Sequence, residues 1–286
     1  MVNKLEILDG KKVADASDKK MAKRVADLKN QNVTPGLAVI LVGDNSASSI
    51  YVRNKKRRAE KLGINFQLIH FDDSITENEL LEKIEQLNND ETVDGFIVQL
   101  PLPDHIDEEK VIQAIDSKKD VDGFAPKNVG NLWTGEPHTL PATASGIMMM
   151  LDFYNVDIDG KNVVIIGRSN IVGKPVAAMM LAKNATVTIT HSHTKNLADV
   201  AKNADILVVA IGQAKFINKS FVKDDAVVID VGMDHDENGK LCGDVDFDDV
   251  KDIVSLISPV PGGVGPMTIT ALMDQVIELA EGRANG

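Results

Sequence analysis

Apolar positions along the chain switch repeatedly between two rhythms. Short continuous runs rich in branched residues, such as Gly36-Leu-Ala-Val-Ile-Leu-Val42, alternate with stretches in which apolar residues recur every three or four positions. The first rhythm suits a strand covered on both faces, the second a helix with one apolar side. Val13, Met21, Val25 and Leu28 predict a helix over 9–30, broken by Thr34-Pro35-Gly36. A strand over 37–42 ends at the turn Gly43-Asp44-Asn45. Ser46 then caps a helix that runs to Leu62, with Gly63 as its C′ residue. A second strand covers 64–71. Thr76-Glu77-Asn78-Glu79 has the form of a capping box and opens a helix through Leu87. A third strand over 95–100 is stopped by Pro101-Leu102-Pro103, and a short helix covers 107–115.

This alternation implies a parallel sheet with helices on both faces. Between 117 and 141 the apolar periodicity fades. The stretch reads as a long loop, of the kind that usually carries function. A helix over 143–154 crosses between domains, its Met148, Met149 and Met150 serving as core filler. A second series begins at Asp159-Gly160: strand 163–166, helix 175–181, strand 186–190, helix 197–202, then strands 206–211, 226–231 and 254–257. A terminal helix begins at Thr268. The expected fold class is therefore α/β with two domains and a cleft between them. The expected boundaries are 1–141 and 142–267, with 268–286 packing back on the first domain.

Composition narrows the function classes. The chain has 286 residues, 43% hydrophobic and 26% charged, which fits two globular domains. Its net charge of −12 argues against nucleic acid or an anionic membrane as partner. Cys242 is the only cysteine, so no intrachain disulfide can form and a reducing compartment is expected. The first residues are too acidic for a signal peptide, and no apolar run reaches membrane-spanning length. These features predict a cytoplasmic protein.

Two stretches carry candidate chemistry. In the helix over 46–62, Ser48, Tyr51 and Lys55 fall on one face, where a strand runs into a helix. Open α/β sheets bind ligands at such ends, and a desolvated lysine can act as a base near neutral pH. The competing reading is a solvated basic helix, since five of the six residues 53–58 are cationic. The second stretch, Gly167-Arg-Ser-Asn-Ile-Val-Gly-Lys-Pro175, joins a strand to a helix as a dinucleotide-binding turn does, although it departs from G-x-G-x-x-G. The next strand ends in Thr190-His191-Ser192-His193-Thr194, without the acid that binds an NAD ribose. Arg168 and Ser192 suit a 2′-phosphate instead, which favours NADP. His191 and His193 form no convincing cluster with acids, so no metal site is expected.

Several further motifs stand in a fixed order: Ser48-x-x-Tyr51-Val-x-x-Lys55, Gly95-Phe-Ile-Val-Gln-Leu-Pro-Leu-Pro103, Lys119-Asp-Val-Asp-Gly-Phe124, the 167–175 turn, Gly243-Asp-Val245, and Pro259-Val-Pro-Gly-Gly-Val-Gly-Pro-Met-Thr268. With them the chain resembles the bifunctional methylenetetrahydrofolate dehydrogenase/methenyltetrahydrofolate cyclohydrolases over essentially its full length. The resemblance implies NADP-dependent oxidation of 5,10-methylenetetrahydrofolate, then hydrolysis of the methenyl product to 10-formyltetrahydrofolate. It implies a folate-binding catalytic domain at the N-terminus and a Rossmann NADP-binding domain after it. Lys55 is expected to move the ring-opening protons, with Gln99 holding its amine, Tyr51 stacking on the folate and Asp122 binding the pterin. Ser48, Pro261, Gly262 and Gly263 are expected at the substrate. Gly167, Arg168, Ser169, Ile171, Val172, Gly173, His191, Ser192 and Thr268 are expected at the cofactor. A homodimer through the Rossmann domains is also implied.

Read by themselves, Asp122 suits a turn before Gly123, and Asp230 and Asp244 suit turns and caps rather than catalysis. Pro141-Ala142-Thr143-Ala144 replaces the family's usual Pro-Cys-Thr-Pro, and His193 stands where arginine or lysine is common. A dehydrogenase without the hydrolase, and a non-catalytic nucleotide-binding relative, are the alternatives.

Overall fold

The computed structural model describes residues 5–285. In chain order its elements are β1 (Glu6–Ile7), α1 (Gly10–Asn30), β2 (Gly36–Val42), α2 (Ser46–Leu62), β3 (Asn65–Phe71), α3 (Glu77–Asn88), β4 (Gly95–Val98), α4 (Glu108–Ala114), α5 (Pro126–Thr134) and α6 (Ala142–Phe153). There follow β5 (Asn162–Ile166), α7 (Gly173–Ala182), β6 (Thr186–Thr190), α8 (Leu197–Ala201), β7 (Ile206–Val209), β8 (Val227–Asp230), β9 (Asp234–His235), β10 (Leu241–Cys242), α9 (Phe247–Val250), β11 (Leu256–Ile257) and α10 (Val264–Asn285). By contact these divide into two units, one of residues 16–142 with 269–285, the other of residues 5–15 with 143–268.

In the first unit β2 lies between β3 and β4, all parallel. All seven residues of β2 are buried, the reason its sequence is apolar without alternation. Parity along the strand divides its side chains between two cores. Leu37, Val39 and Leu41 pack with Met21, Val25, Leu272 and Val276. Ala38, Ile40 and Val42 pack with Leu80, Ile84 and Leu87 of α3. The edge strand β3 carries polar residues outward. Thr76 caps α3: its Oγ1 accepts from Glu79 N–H (3.3 Å), and its own N–H donates to Glu79 Oε2 (2.9 Å).

The last helix completes this unit. Gln275 Nε2 donates to Val121 O at 2.7 Å, and Gln275 Oε1 accepts from Leu140 N–H at 2.6 Å. Arg24 is bonded to both Glu281 oxygens (2.8 and 2.7 Å) and to Asp274. Arg283 pairs with Asp94, whose side chain is 2% exposed and also accepts Gly36 N–H.

The second unit holds a six-stranded parallel sheet of order β1-β11-β8-β7-β5-β6. Here too neighbours along a strand divide between two cores, Val163 and Ile165 on one face, Val164 and Ile166 on the other. The chain leaves β5 for β6 on one side and returns to β7 on the other, so a topological switch point lies between β5 and β7. Ligands bind in such sheets outside the strand carboxyl ends at that point.

Several expectations need correction, among them the terminal helix, which begins at Val264 rather than Thr268, and the third strand, which ends at Val98 rather than at residue 100. Residues 5–15 group with the second unit rather than the first, because Glu6 and Ile7 pair with Leu256 and Ile257. The stretch expected to be a loop contains α5, opened by Pro126 at its start and closed by Gly135 in the left-handed region (φ 85°). The strand expected to reach Ile211 ends at Val209, because Asp244 takes the Ile211 N–H out of the ladder.

Candidate active site

The face of α2 that packs inward is a row of Val52, Lys55, Ala59 and Leu62, spaced three or four apart. A lysine in that row is forced into the interior, and Lys55 is only 8% exposed. Its Nζ donates to Gln99 Oε1 at 2.9 Å. Gln99 lies just beyond β4, held by its N–H to Ile40 O (2.9 Å), while its Nε2 donates to Leu100 O at 2.9 Å. The amide therefore turns its oxygen to the lysine and its nitrogen to the backbone. Ser48, also buried, points its Oγ toward the same Leu100 carbonyl at 3.4 Å.

The other cations of α2 are used differently. Arg58 reaches Asp18 (2.8 Å) and Thr270 Oγ1 (2.8 Å), and Lys61 also reaches Asp18 (2.9 Å). These contacts fix α2 against α1 and α10 and so fix the height of Lys55. The solvated-helix reading thus holds only for the outer face.

Burial lowers the proton affinity of Lys55, and the Asp122 carboxylate opposes that effect. Burial pushes Asp122 up to about 6, with Lys55 acting against the shift and Asp120 adding to it. Burial also raises the Tyr51 phenol, so it stays protonated. Asp122 is presented by a turn built on Asp120, which accepts from Gly123 N–H (2.9 Å), Ala125 N–H (2.7 Å) and Asn128 Nδ2 (3.0 Å). An amine whose proton affinity is lowered, an amide that aims it and a carboxyl that titrates near 6 form an acid–base set.

In the other unit, the turn after β5 is as tight as a nucleotide loop requires. Gly167 has φ 124°, and a Cβ there would lie 2.2 Å from Ala210 O; one on Gly173 would lie 2.2 Å from Gly167 O. Ser169 Oγ accepts from Val172 N–H (3.1 Å) and Gly173 N–H (3.3 Å), so it shapes the turn at the start of α7. Arg168 and Ile171 stand out into solvent on the same loop, and Val172 is half-buried. At the end of β6, His191 N–H donates to Thr194 Oγ1 (2.9 Å), and His193 N–H donates to His191 Nδ1 (3.2 Å). That leaves Ser192 and His193 exposed. A glycine-lined turn at a helix start, with exposed arginine and imidazole near it, fits a phosphate-bearing dinucleotide.

Thr268 Oγ1 lies 3.2 Å from Thr143 Oγ1. Pro261, Gly262 and Gly263 also belong to this unit rather than to that of Lys55, and Gly262 O accepts Gly10 N–H at 3.0 Å. Among the described residues no group of three or more His, Cys, Asp or Glu could hold a metal. Among the described residues no helix is long and apolar enough to cross a membrane.

Sequence reasoning missed the loop after β7. Ile211 and Gln213 donate their N–H groups to Asp244, and Gly212 between them has φ 64°. The signal available was Gly212 directly after an apolar strand.

Two family models cover the chain. That for the tetrahydrofolate dehydrogenase/cyclohydrolase catalytic domain matches residues 8–122, and that for the NAD(P)-binding domain matches 141–284. The bifunctional protein FolD of Streptococcus equi subsp. equi is 56% identical over 277 residues, 96% of this chain and 98% of that protein. The Streptococcus thermophilus protein of the same name is 57% identical over 275 residues, 96% and 97% of the two chains. The crystal structure of the bifunctional FolD methylenetetrahydrofolate dehydrogenase/cyclohydrolase from Campylobacter jejuni superposes with a TM-score of 0.96 at 45% identity, covering 98% of this chain and 99% of that one. The Trypanosoma brucei methylenetetrahydrofolate dehydrogenase-cyclohydrolase, complexed with NADP and an inhibitor, gives 0.94 at 36% identity over 99% of both chains.

Proposed function

The chain belongs to the tetrahydrofolate dehydrogenase/cyclohydrolase family, and from that premise we propose how its own residues perform the two reactions. It oxidises 5,10-methylenetetrahydrofolate with NADP and hydrolyses the 5,10-methenyl product to 10-formyltetrahydrofolate. The observation that carries the assignment of roles is the hydrogen bond from buried Lys55 to Gln99.

In the hydrolysis, water adds to the methenyl carbon of the cationic substrate. Neutral Lys55 takes the proton released by that water. It returns the proton to N5 as the carbon–N5 bond breaks, while the remaining hydroxyl proton leaves to water, giving the formyl carbonyl on N10. Burial and the substrate's positive charge both favour the neutral amine. Gln99 keeps the lone pair aimed at the reacting carbon. Tyr51, protonated and half-buried, offers a ring face to the folate, with Ser48 beside it. Asp122 accepts hydrogen bonds from the aminopyrimidine edge of the pterin. Pro261, Gly262 and Gly263 are assigned to the substrate as well.

NADP, when bound, accepts the hydride of the methylene carbon, and no proton moves in that step. The residues that hold it are Gly167, Arg168, Ser169, Ile171, Val172, Gly173, His191, Ser192 and Thr268. Arg168 and Ser192 meet the 2′-phosphate, and His193 removes a fixed charge from that pocket.

The unit of 16–142 and 269–285 is thus the folate-binding catalytic domain, and that of 143–268 the cofactor domain. The working assembly is a homodimer through the cofactor domains, and the protein is cytoplasmic, in keeping with its single cysteine. Light scattering on the purified protein would read a monomer mass if the dimer were wrong. The experiment that tests the whole reading follows absorbance with methylenetetrahydrofolate and each nicotinamide cofactor, then the decay of methenyltetrahydrofolate without cofactor. Oxidation and hydrolysis are both expected, the second lost in Lys55→Met. Hydrolysis surviving in that variant would remove Lys55 from its role.

A further inference from the structure

We propose that Asp244 is a positioning residue for hydride transfer, holding the loop after β7 on one lip of the switch point; the proposal rests on the cofactor assignment above. That loop is the counterpart of the Gly167 turn, since the two follow the strands on either side of the reversal in strand order. They touch: a Cβ on Gly167 would lie 2.2 Å from Ala210 O. A shift of 211–213 is therefore transmitted to the turn that holds the cofactor.

Asp244 is fully buried and belongs to no regular element. Its Oδ2 accepts Ile211 N–H at 2.8 Å and its Oδ1 accepts Gln213 N–H at 2.6 Å. Two oxygens facing two backbone donors form a fork that only a carboxylate satisfies on both sides. Asp244 is itself held from behind. Asp230, at the end of β8, accepts N–H from Gly232 (2.9 Å), Asp244 (3.0 Å) and Val245 (3.0 Å). Asp230 N–H donates to Ser258 Oγ at 2.8 Å, and Ser258 leads directly into Pro259–Gly263. Gly243 and Gly232 allow this packing, for a Cβ on the first would lie 1.9 Å from Asp230 Oδ2 and one on the second 2.6 Å from Asp244 Cγ. Two carboxylates thus join the loop after β7 to the 259–263 segment through backbone groups.

Asp244→Asn keeps the shape and turns one arm of the fork into a donor facing a donor. The expected result is a fall in dehydrogenase kcat of roughly 30- to 100-fold, with KM for NADP changed less, and a larger primary isotope effect with deuterium on the methylene carbon. Loss of folded protein alone would lower kcat and leave the isotope effect as it was. An unaltered kcat, or a fall with the isotope effect unchanged, would overturn the proposal. If Asp244→Asn yields no folded protein, Ser258→Ala carries the same test through the rear of the network. A roughly threefold fall with a raised isotope effect is expected there, and wild-type values would overturn the proposal. Absence of oxidation in the unmutated protein would instead defeat the cofactor reading beneath it.

Discussion

Lys55 Nζ and Gln99 Oε1 stand 2.9 Å apart although 44 positions separate them in the chain. One comes from a helix and the other from the residue after a strand, so their meeting depends on the packing of α2 on β2 and β4. Gln99→Leu leaves a buried amine hydrogen without its acceptor, a penalty of about 1–3 kcal/mol. The expected outcome is a cyclohydrolase kcat about 10- to 100-fold lower, milder than the loss in Lys55→Met. Following the decay of methenyltetrahydrofolate would check it, and a wild-type rate would contradict the link.

Asp122 opposes the effect of burial on Lys55. Replacing it with asparagine removes an anion, so the amine loses its proton at lower pH, and the rising limb of the hydrolysis rate shifts down the pH scale. In the unmutated protein Asp122 takes up a proton as pH falls through about 6, above the usual carboxylate range. Its ionisation therefore works against folding. The stability it lends is present below pH about 4 and is lost as pH rises through about 6. Rate profiles and urea midpoints from pH 4 to 9 would show both effects, and identical profiles for Asp122→Asn would refute them.

Arg168 is exposed on the turn after β5, near Ser192 and His193 in the cofactor assignment. Arg168→Ala is expected to raise KM for NADP about tenfold and to leave KM for NAD within a factor of two. Steady-state kinetics with both cofactors decide the matter. Equal rises would show that the guanidinium does not read the phosphate.

The pair between Arg283 and Asp94 ties the end of α10 beside the start of β4. Asp94 is the more deeply buried partner, so removing the arginine strands a charge that keeps Gly36 N–H. Arg283→Met is expected to destabilise this unit by about 2–3 kcal/mol, less than breaking a fully enclosed pair because Arg283 is 38% exposed. A lower urea midpoint with unchanged slope is the signature. No shift would mean that the apolar face of α10 suffices.

Most elements were legible because local chemistry and burial agree. The strand over β6 matches the expected limits, as does α2 with Gly63 beyond it at φ 80°, and Thr76 forms its capping box. What escaped had little local signal. β1 has two residues, and its pairing with the expected strand β11 joins positions 250 apart in sequence. Helix α5 shows few periodic apolar residues, although Pro126 and Gly135 mark its ends. For the site, the shared face of Ser48, Tyr51 and Lys55 followed from helical spacing. The partnership with Gln99 and Asp122 did not, because tertiary contacts leave no spacing to read, and it rested on family resemblance. Asp230 and Asp244 suited turns and caps: Asp230 does take the nearby Gly232 N–H, whereas Asp244 takes the distant Ile211 and Gln213 N–H groups, which no local pattern shows.

The strand β1 has consequences for how the polypeptide is made. Its neighbour β11 is synthesised some 250 residues after it. The β2–β4 sheet must likewise wait for 269–285, which is made well after β4. Neither core can close until its later-made segment has emerged.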